Sequence, residues 1–399
     1  MRRVLNLLGI SVIALLAVGF GILASASEAN GIRLHGNAYH FVAYQAVWLF
    51  VVAIPALLVM TFLDYHWWRR HTWLTIALYV VICLLLGSVF GFRAINGSHR
   101  WIILGPIRLQ PSEFAKIVVI LATGVFLDRS GWRIELFWKG ALPAVGIIGI
   151  LAGFTVAEPD FGSTMVIGLT GFIVLWVAGM KFWHICALGG VGAVGVLGII
   201  ATNANRMRRI VAWLPTDLAA KVVAFLNLPD VAQDEKAKNA IHQLNQALVA
   251  IQRGGLTGVG FNKSMQKQYY LPEAHTDFIF AIGAEEWGLI FSLGLLTLFT
   301  IFFVCGIIIS ARAPDRLGRL FAFGATFLIF FQVLFNIGVV TGVLPTKGLA
   351  LPFISYGGTN LVTGLAAVGI LFNVGRQIEL QNRRQKSRIS PVFSTKEVR

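Results

Sequence analysis

The segment Leu271-Pro-Glu-Ala-His-Thr-Asp-Phe278 carries the strongest candidates for chemistry in the chain. It opens a long apolar block, and proline is well tolerated at a first helical position, so Glu273 and Asp277 are expected to share a helix face at i and i+4. A carboxylate in a first turn answers the positive end of the helix dipole, which accounts for Glu273. Asp277 lies deeper, where a carboxylate in a membrane helix costs several kcal/mol unless partnered, so a functional role is its default assignment. Glu285 and Glu286 raise the same question about two turns later, as partners of a buried cation or amide, and rank below Asp277.

Cations recur in the segments assigned below to the outer face: Arg93, Arg100 and Arg108, then Lys263 and Lys267, then Lys347. The positive-inside rule disfavours them there, so as a set they point to an anionic ligand. Arginine holds phosphate through a bidentate fork and lysine as a point charge, which suits a pyrophosphate at the membrane surface. Taken singly, each could pair with a lipid headgroup or a neighbouring acid.

Other motifs frame these residues. Gln110-Pro-Ser-Glu113 with Lys116 places an acid and a base at i and i+3, a pair expected to neutralise itself. The run Gly254-Gly-Leu-Thr-Gly-Val-Gly260 precedes Lys263-Ser264 but has no lysine directly after its last glycine, so it is a turn carrying Lys263 and Lys267 rather than a nucleotide loop. No dinucleotide fingerprint, HExxH zinc site or GxSxG nucleophile occurs. Leu344-Pro-Thr-Lys347-Gly and Leu351-Pro-Phe-Ile-Ser-Tyr-Gly-Gly358 describe a re-entrant turn, which membrane depth allows only where protein or a wet cavity covers it.

The elements that must position these residues are membrane helices. The chain has 399 residues, 57% of them hydrophobic and only 13% charged. Blocks of roughly 20 apolar residues, the length a bilayer core requires, run over 4–26, 43–63, 73–91, 114–127, 141–156, 163–178, 185–201, 279–309, 320–343 and 360–372. The net charge of +15 would suggest nucleic acid in a soluble protein. Here it distributes by loop. With Arg2 and Arg3 inside, the even-numbered loops inside carry Arg69 and Arg70, then Arg129, Arg133 and Lys139, then Lys181, then Arg312, Arg316 and Arg319. The tail adds Arg376, Arg383, Arg384, Lys386 and Arg388.

The expected fold is therefore all-α and polytopic, with about ten transmembrane helices. Both termini are cytoplasmic, and a large extracytoplasmic loop, about 202–278, joins helices 7 and 8. Residues 1–375 form one transmembrane domain and 376–399 a basic cytoplasmic tail suited to anionic lipid. Ala24-Ser25-Ala26 after an apolar run admits a cleaved signal peptide, but the run is long for one and more spans follow, so a retained helix is preferred. Within the large loop, 203–226 has the pattern of an interfacial helix, 230–239 is polar and suited to a mobile insertion, and 240–251 returns to helical spacing with Gln243 and Gln246. Cys83, Cys186 and Cys305 lie in separate apolar blocks and are packing residues. No inverted repeat of the transporter kind stands out.

Across nearly its whole length the chain resembles the SEDS family (shape, elongation, division and sporulation), to which FtsW, RodA and SpoVE belong. The motifs that carry the resemblance are Arg100-Trp-Ile102, Gln110-Pro-Ser-Glu-Phe-Ala-Lys116, Ala157-Glu-Pro-Asp-Phe-Gly162, the segment from Leu271 to Phe280, and Asn336-Ile-Gly-Val-Val-Thr-Gly342 running on to Gly358. The wording Pro345-Thr-Lys-Gly-Leu349 and Glu273-Ala-His-Thr-Asp277 looks like the FtsW and SpoVE branch. The resemblance implies an inverting peptidoglycan glycosyltransferase of the inner membrane, at the division septum, polymerising lipid II with a class B penicillin-binding protein and other divisome proteins as partners. The 4-hydroxyl of one disaccharide attacks the anomeric carbon of the next and undecaprenyl pyrophosphate leaves.

By the family motif, Asp277 matches the essential aspartate, as general base or metal ligand. Trp101 matches a tryptophan suited to stacking on sugar. Arg100, Lys263, Lys267 and Lys347 would offset charge on the leaving group, with Glu273, His275 and Ser355 also against substrate. Glu113, Lys116, Glu158, Asp160 and Glu286 would support the site. The resemblance implies no certain cofactor, with a divalent ion such as magnesium or manganese left open, and no nucleic acid. Two departures from the family pattern are Thr359-Asn360 after the last Tyr-Gly-Gly and the stretch 217–239. The competing functions are a lipid II flippase and a non-catalytic divisome scaffold. A transporter should expose binding groups on both sides, whereas the unusual charges here are outside, which favours the enzyme.

Overall fold

Segments this apolar satisfy their backbone hydrogen bonds inside a bilayer only as helices, and the computed structural model is a bundle of them. It describes residues 1–92, 99–105, 107–201, 235–345 and 348–393, with the single positions 211, 213 and 218. In chain order the elements are α1 (Arg2–His35), α2 (His40–Phe62), α3 (Thr72–Ser88), β1 (Ile102–Leu104), β2 (Ile107–Leu109), α4 (Pro111–Ser130), α5 (Leu142–Ala157), α6 (Phe161–Val177), α7 (Phe182–Ala201), α8 (Glu235–Gly254), α9 (Ile279–Ala311), α10 (Arg316–Val340) and α11 (Gly358–Phe393). The stretches built on α1, α2, α3, α5, α9, α10 and α11 are each long and apolar enough to cross a membrane, and α6 and α7 are shorter apolar helices. With α4 these coincide with the ten apolar blocks.

Helix α4 is the hub. It is buried almost from end to end, Glu113 and Lys116 included, and touches α3, α5, α6, α10 and α11. Surrounded by other helices rather than lipid, it tolerates a polar pair that a lipid-facing span would not.

Loops assigned to the cytoplasmic face meet at one end of the bundle. There Arg69 pairs with Asp128 at 3.4 Å, His66 bridges Asp64 at 2.7 Å and Asp315 at 2.5 Å, and Arg316 donates to Ala178 O at 2.7 Å. At the other end meet the loops assigned to the outer face, described below. Helix α11 runs unbroken through the boundary drawn at 375, so the start of the basic tail is a continuation of the last span.

The structure departs from the sequence expectations in several places. A two-stranded antiparallel ribbon, β1 with β2, interrupts the all-α pattern, pairing Ile103 with Arg108 around a left-handed Gly105. Helix α8 begins at Glu235, so the end of the stretch read as a mobile insertion is helical, and α8 packs on α9. Residues 230–234 and most of the 203–226 segment lie outside the described residues. Helix α9 also breaks at Gly288, whose φ of 70° and ψ of −159° are open to glycine alone. The glycine run 254–260 docks on that break: Val259 N donates to Glu285 O at 3.0 Å, Gly260 N to Glu286 O at 2.9 Å and Leu289 N to Gly255 O at 2.9 Å.

Candidate functional site

Asp277 stands in the turns 271–278 that precede α9. The helical face expected to join it to Glu273 does not form. Glu273 takes φ 56°, a left-handed conformation that a right-handed helix cannot continue, and the amides of Thr276 and Phe278 return to its carbonyl at 3.2 and 3.3 Å. The exposed Glu273 side chain accepts from Thr276 Oγ1 at 2.8 Å, so it stabilises this turn instead of a helix dipole.

Two contacts fix the aspartate. Asn336 of α10 donates to Asp277 O at 2.8 Å and to Leu349 O at 2.6 Å, tying the turn to the last outer loop with one amide. Gly348 then lies flat on the carboxylate; a methyl group there would coincide with Asp277 Oδ2. The carboxylate is half-buried and accepts no hydrogen bond from the described residues. Burial pushes its pKa up to about 7, with Glu273 and Asp160 adding to the rise and Arg100 opposing it.

Arg100 and Asp160 reach this carboxylate electrostatically from two other loops. Arg100, beside β1, donates from Nη2 to Pro159 O at 2.5 Å in the turn between α5 and α6. Asp160 caps α6 through Ser163 N at 3.4 Å, and its Oδ2 receives Gln110 Nε2 and Ser112 Oγ, each at 3.0 Å. The two motifs around residues 110 and 160 therefore exist partly to hold each other. Leu349 packs where a side chain on Gly162 would sit, so the last loop touches both Asp277 and the start of α6. Trp101 is half-buried at the entry to β1. Glu113 and Lys116 pair at 2.6 Å, both buried, with Thr363 against the acid at 3.4 Å.

An aromatic wall adjoins the aspartate. His275 stands 4.9 Å from Phe41 and 5.8 Å from Tyr356, and its carbonyl accepts Tyr356 N at 3.0 Å. Burial holds the imidazole below its usual range, with Glu273 opposing, so a neutral ring faces this wall. Ser355, expected against substrate, is instead engaged by protein. Its hydroxyl donates to Thr276 O at 2.6 Å and accepts Leu351 N at 2.8 Å, which locks the last loop to the Asp277 turn.

Lys267 is likewise corrected. It is 4% exposed, and its ammonium meets Ser25 Oγ at 2.8 Å, Glu286 at 3.3 Å, Glu28 at 3.8 Å and the side chain of Asn262. A cation so enclosed holds the segment 262–267 to α1 and α9 and has no donor left for a pyrophosphate. Glu286 is thus the partner of a buried cation, and Glu285 receives Ser264, the amides of Met265 and Gln266, and Arg253 at 3.4 Å. Lys263 and Arg108 are exposed, and Lys347 and Arg93 lie outside the described residues. No three His, Cys, Asp or Glu side chains among the described residues converge on one point as metal ligands.

Sequence reasoning gave no role to Asn336 or to Gln45, which bonds Ser355 O at 3.3 Å and Gly357 N at 3.1 Å. Each is an amide inside an apolar block, and that was the available signal, because a side-chain amide in a membrane helix needs a partner.

This arrangement has relatives. Residues 6–380 match the model of the FtsW, RodA and SpoVE family of cell cycle proteins. A protein of Coxiella burnetii named "probable peptidoglycan glycosyltransferase FtsW" is 36% identical over 375 residues, 93% of this chain and 95% of that one. Stage V sporulation protein E of Bacillus subtilis is 35% identical over 374 residues, 93% of this chain and 96% of that one. Among solved structures, a chain of a peptidoglycan synthase complex that coordinates polymerization and crosslinking superposes with a TM-score of 0.68 at 29% identity, covering 93% of this chain and 97% of that one. The rod shape determining protein RodA of Thermus thermophilus superposes at 0.64, also at 29% identity, covering 93% and 96%. The chain belongs to the FtsW, RodA and SpoVE family of multi-pass membrane proteins.

Proposed function

We propose that this protein is a peptidoglycan glycosyltransferase that polymerises lipid II on the outer face of the cytoplasmic membrane, with a class B penicillin-binding protein as partner, during septal wall synthesis. The names of the relatives and the synthase complex among the structural neighbours support the reaction and the partner. The observation that carries the assignment is Asp277: a carboxylate without a hydrogen-bond partner among the described residues, held against the loop that follows Lys347 and within the field of Arg100.

Such a group can accept one proton. As the 4-hydroxyl oxygen of one disaccharide attacks the anomeric carbon of the other, Asp277 takes the hydroxyl proton, the new glycosidic bond forms, and the bond to undecaprenyl pyrophosphate breaks with inversion. Charge then grows on the departing pyrophosphate, where Arg100 is poised and where Lys263, which is exposed, completes the clamp together with the lysine at position 347. Trp101 and the aromatic wall of Phe41, His275 and Tyr356 offer apolar faces to sugar. The membrane domain over 1–375 supplies the chemistry, and the tail from 376 offers its arginines and lysines to anionic lipid. The FtsW-like relatives support a septal location and contacts with other divisome proteins.

A base with a pKa near 7 makes a pH prediction. Its working form is the carboxylate, so the rate of glycan synthesis should rise through about pH 7 and fall roughly tenfold for each pH unit below it. Initial rates of lipid II polymerisation by the solubilised protein with its class B partner, taken from about pH 5 to pH 8, check this. A rate indifferent to pH across that range would remove Asp277 from the role of base.

A further inference from the structure

Glu158 is a buried acid at this end of the bundle for which the mechanism above has no use. It lies in the turn between α5 and α6, is fully buried, and neither of its carboxyl oxygens has a hydrogen-bond partner among the described residues. Buried polar groups are ordinarily satisfied, and an ionised one without partners is worse still. Next to it stands Arg100, whose Nη2 is fastened to the carbonyl of Pro159, the residue after Glu158, while its buried Nε has no acceptor among the described residues. The two side chains are thus neighbours across one peptide and each has unused hydrogen-bonding capacity, yet no ion pair joins them among the described residues.

Resting on the lipid-linked pyrophosphate assigned above, we propose that Glu158 is a positioning residue for Arg100, its neutral form leaving the guanidinium charge to the substrate pyrophosphate and its ionised form drawing that charge away. Burial, aided by Asp160, pushes the Glu158 carboxyl up to about 8, with Arg100 opposing. The acid is therefore mostly neutral at pH 7. The surroundings leave little else to respond. Asp160 shares its turn, Asp277 reaches the same group of charges from the segment before α9, and α4 brings only Glu113 and Lys116, already paired with each other. Helix α10 contributes the neutral Asn336.

The test is binding of lipid II in vesicles to the full-length protein carrying Asp277→Asn, which removes the other titrating carboxyl and holds the substrate unreacted. If only the neutral form leaves Arg100 available, affinity should fall about tenfold from pH 7 to pH 9 as the neutral fraction falls. Adding Glu158→Gln should abolish that loss and leave affinity at pH 7 unchanged; Glu158→Met, also without charge, should do the same should glutamine disturb the fold. Adding Arg100→Ala should weaken binding at pH 7 and also abolish the pH dependence, because Glu158 acts through Arg100. An equal loss with and without Glu158, or a loss that survives Arg100→Ala, would overturn the role of Glu158 alone. Absence of lipid II binding at every pH would overturn the substrate assignment itself, and this proposal with it.

Discussion

Asp277→Asn should abolish glycan synthesis, lowering the rate by at least about 10²–10⁴-fold, while leaving the protein folded and able to bind lipid II. The two halves of this expectation have separate reasons. The carboxylate accepts no hydrogen bond from the described residues, so replacing an oxygen by a nitrogen breaks nothing that holds the turn, whose anchor is the Asn336 bond to the Asp277 carbonyl. A carboxamide cannot take the hydroxyl proton, so only base catalysis is lost. Thermal unfolding in detergent and lipid II binding should match wild type, and gels of the glycan product should be blank. Gly348→Ala offers a second route to the same end without touching the acid: its methyl must displace the carboxylate, and a misplacement of about 1 Å can cost on the order of 10²-fold in rate. An Asp277→Asn protein that polymerised normally would dismiss the aspartate from the chemistry.

Lys267→Met should lower the stability of the protein by about 3–5 kcal/mol, because it removes one member of a buried ion pair and leaves Glu286, itself 2% exposed, without its cation. Adding Glu286→Gln should recover a substantial part of that loss, since the remaining amide costs far less to bury than a lone carboxylate. Unfolding of the two single variants and the double variant gives the cycle, with an expected coupling of about 0.5–3 kcal/mol. The opposite pattern, unchanged unfolding with weakened lipid II binding, would restore Lys267 to the pyrophosphate clamp.

That contrast marks where the sequence was legible. The helices could be read because a bilayer imposes a length and a composition on every span, and each of the ten blocks is helical, although α1 runs on to His35 and α11 to Phe393, well past the apolar runs that end at 26 and 372. The outer-end motifs were legible as a set, because arginine, lysine and acid residues are unwelcome where the charge parity places them. What each residue does there was not. Lys263 and Lys267 are four residues apart in one polar stretch, yet one is exposed and the other enclosed by Ser25, Asn262 and Glu286, an enclosure made by α1 from the far end of the chain.

Backbone geometry was equally hidden. Gly288 reads as one more small residue in an apolar run, and its positive φ breaks α9 where the 254–260 run bonds the Glu285 and Glu286 carbonyls. Glu273 was read as helical because Pro272 suits a helix start, and a left-handed glutamate in the first turn is not something propensity foresees. The amide ties of Asn336 and Gln45 join segments far apart in sequence, so only the polar residue itself was visible and not its partners.

The proposed function requires that this protein make the glycosidic bond itself rather than move lipid II across the membrane or merely recruit a synthase. Its most direct test is to incubate lipid II in detergent, where no membrane separates two sides, with the purified protein and a class B partner whose transpeptidase is blocked. Glycan strands many disaccharides long, absent when Asp277→Asn replaces wild type, are the predicted result. Unchanged lipid II in the presence of a well-formed complex, together with transfer of labelled lipid II between leaflets of reconstituted vesicles, would contradict it.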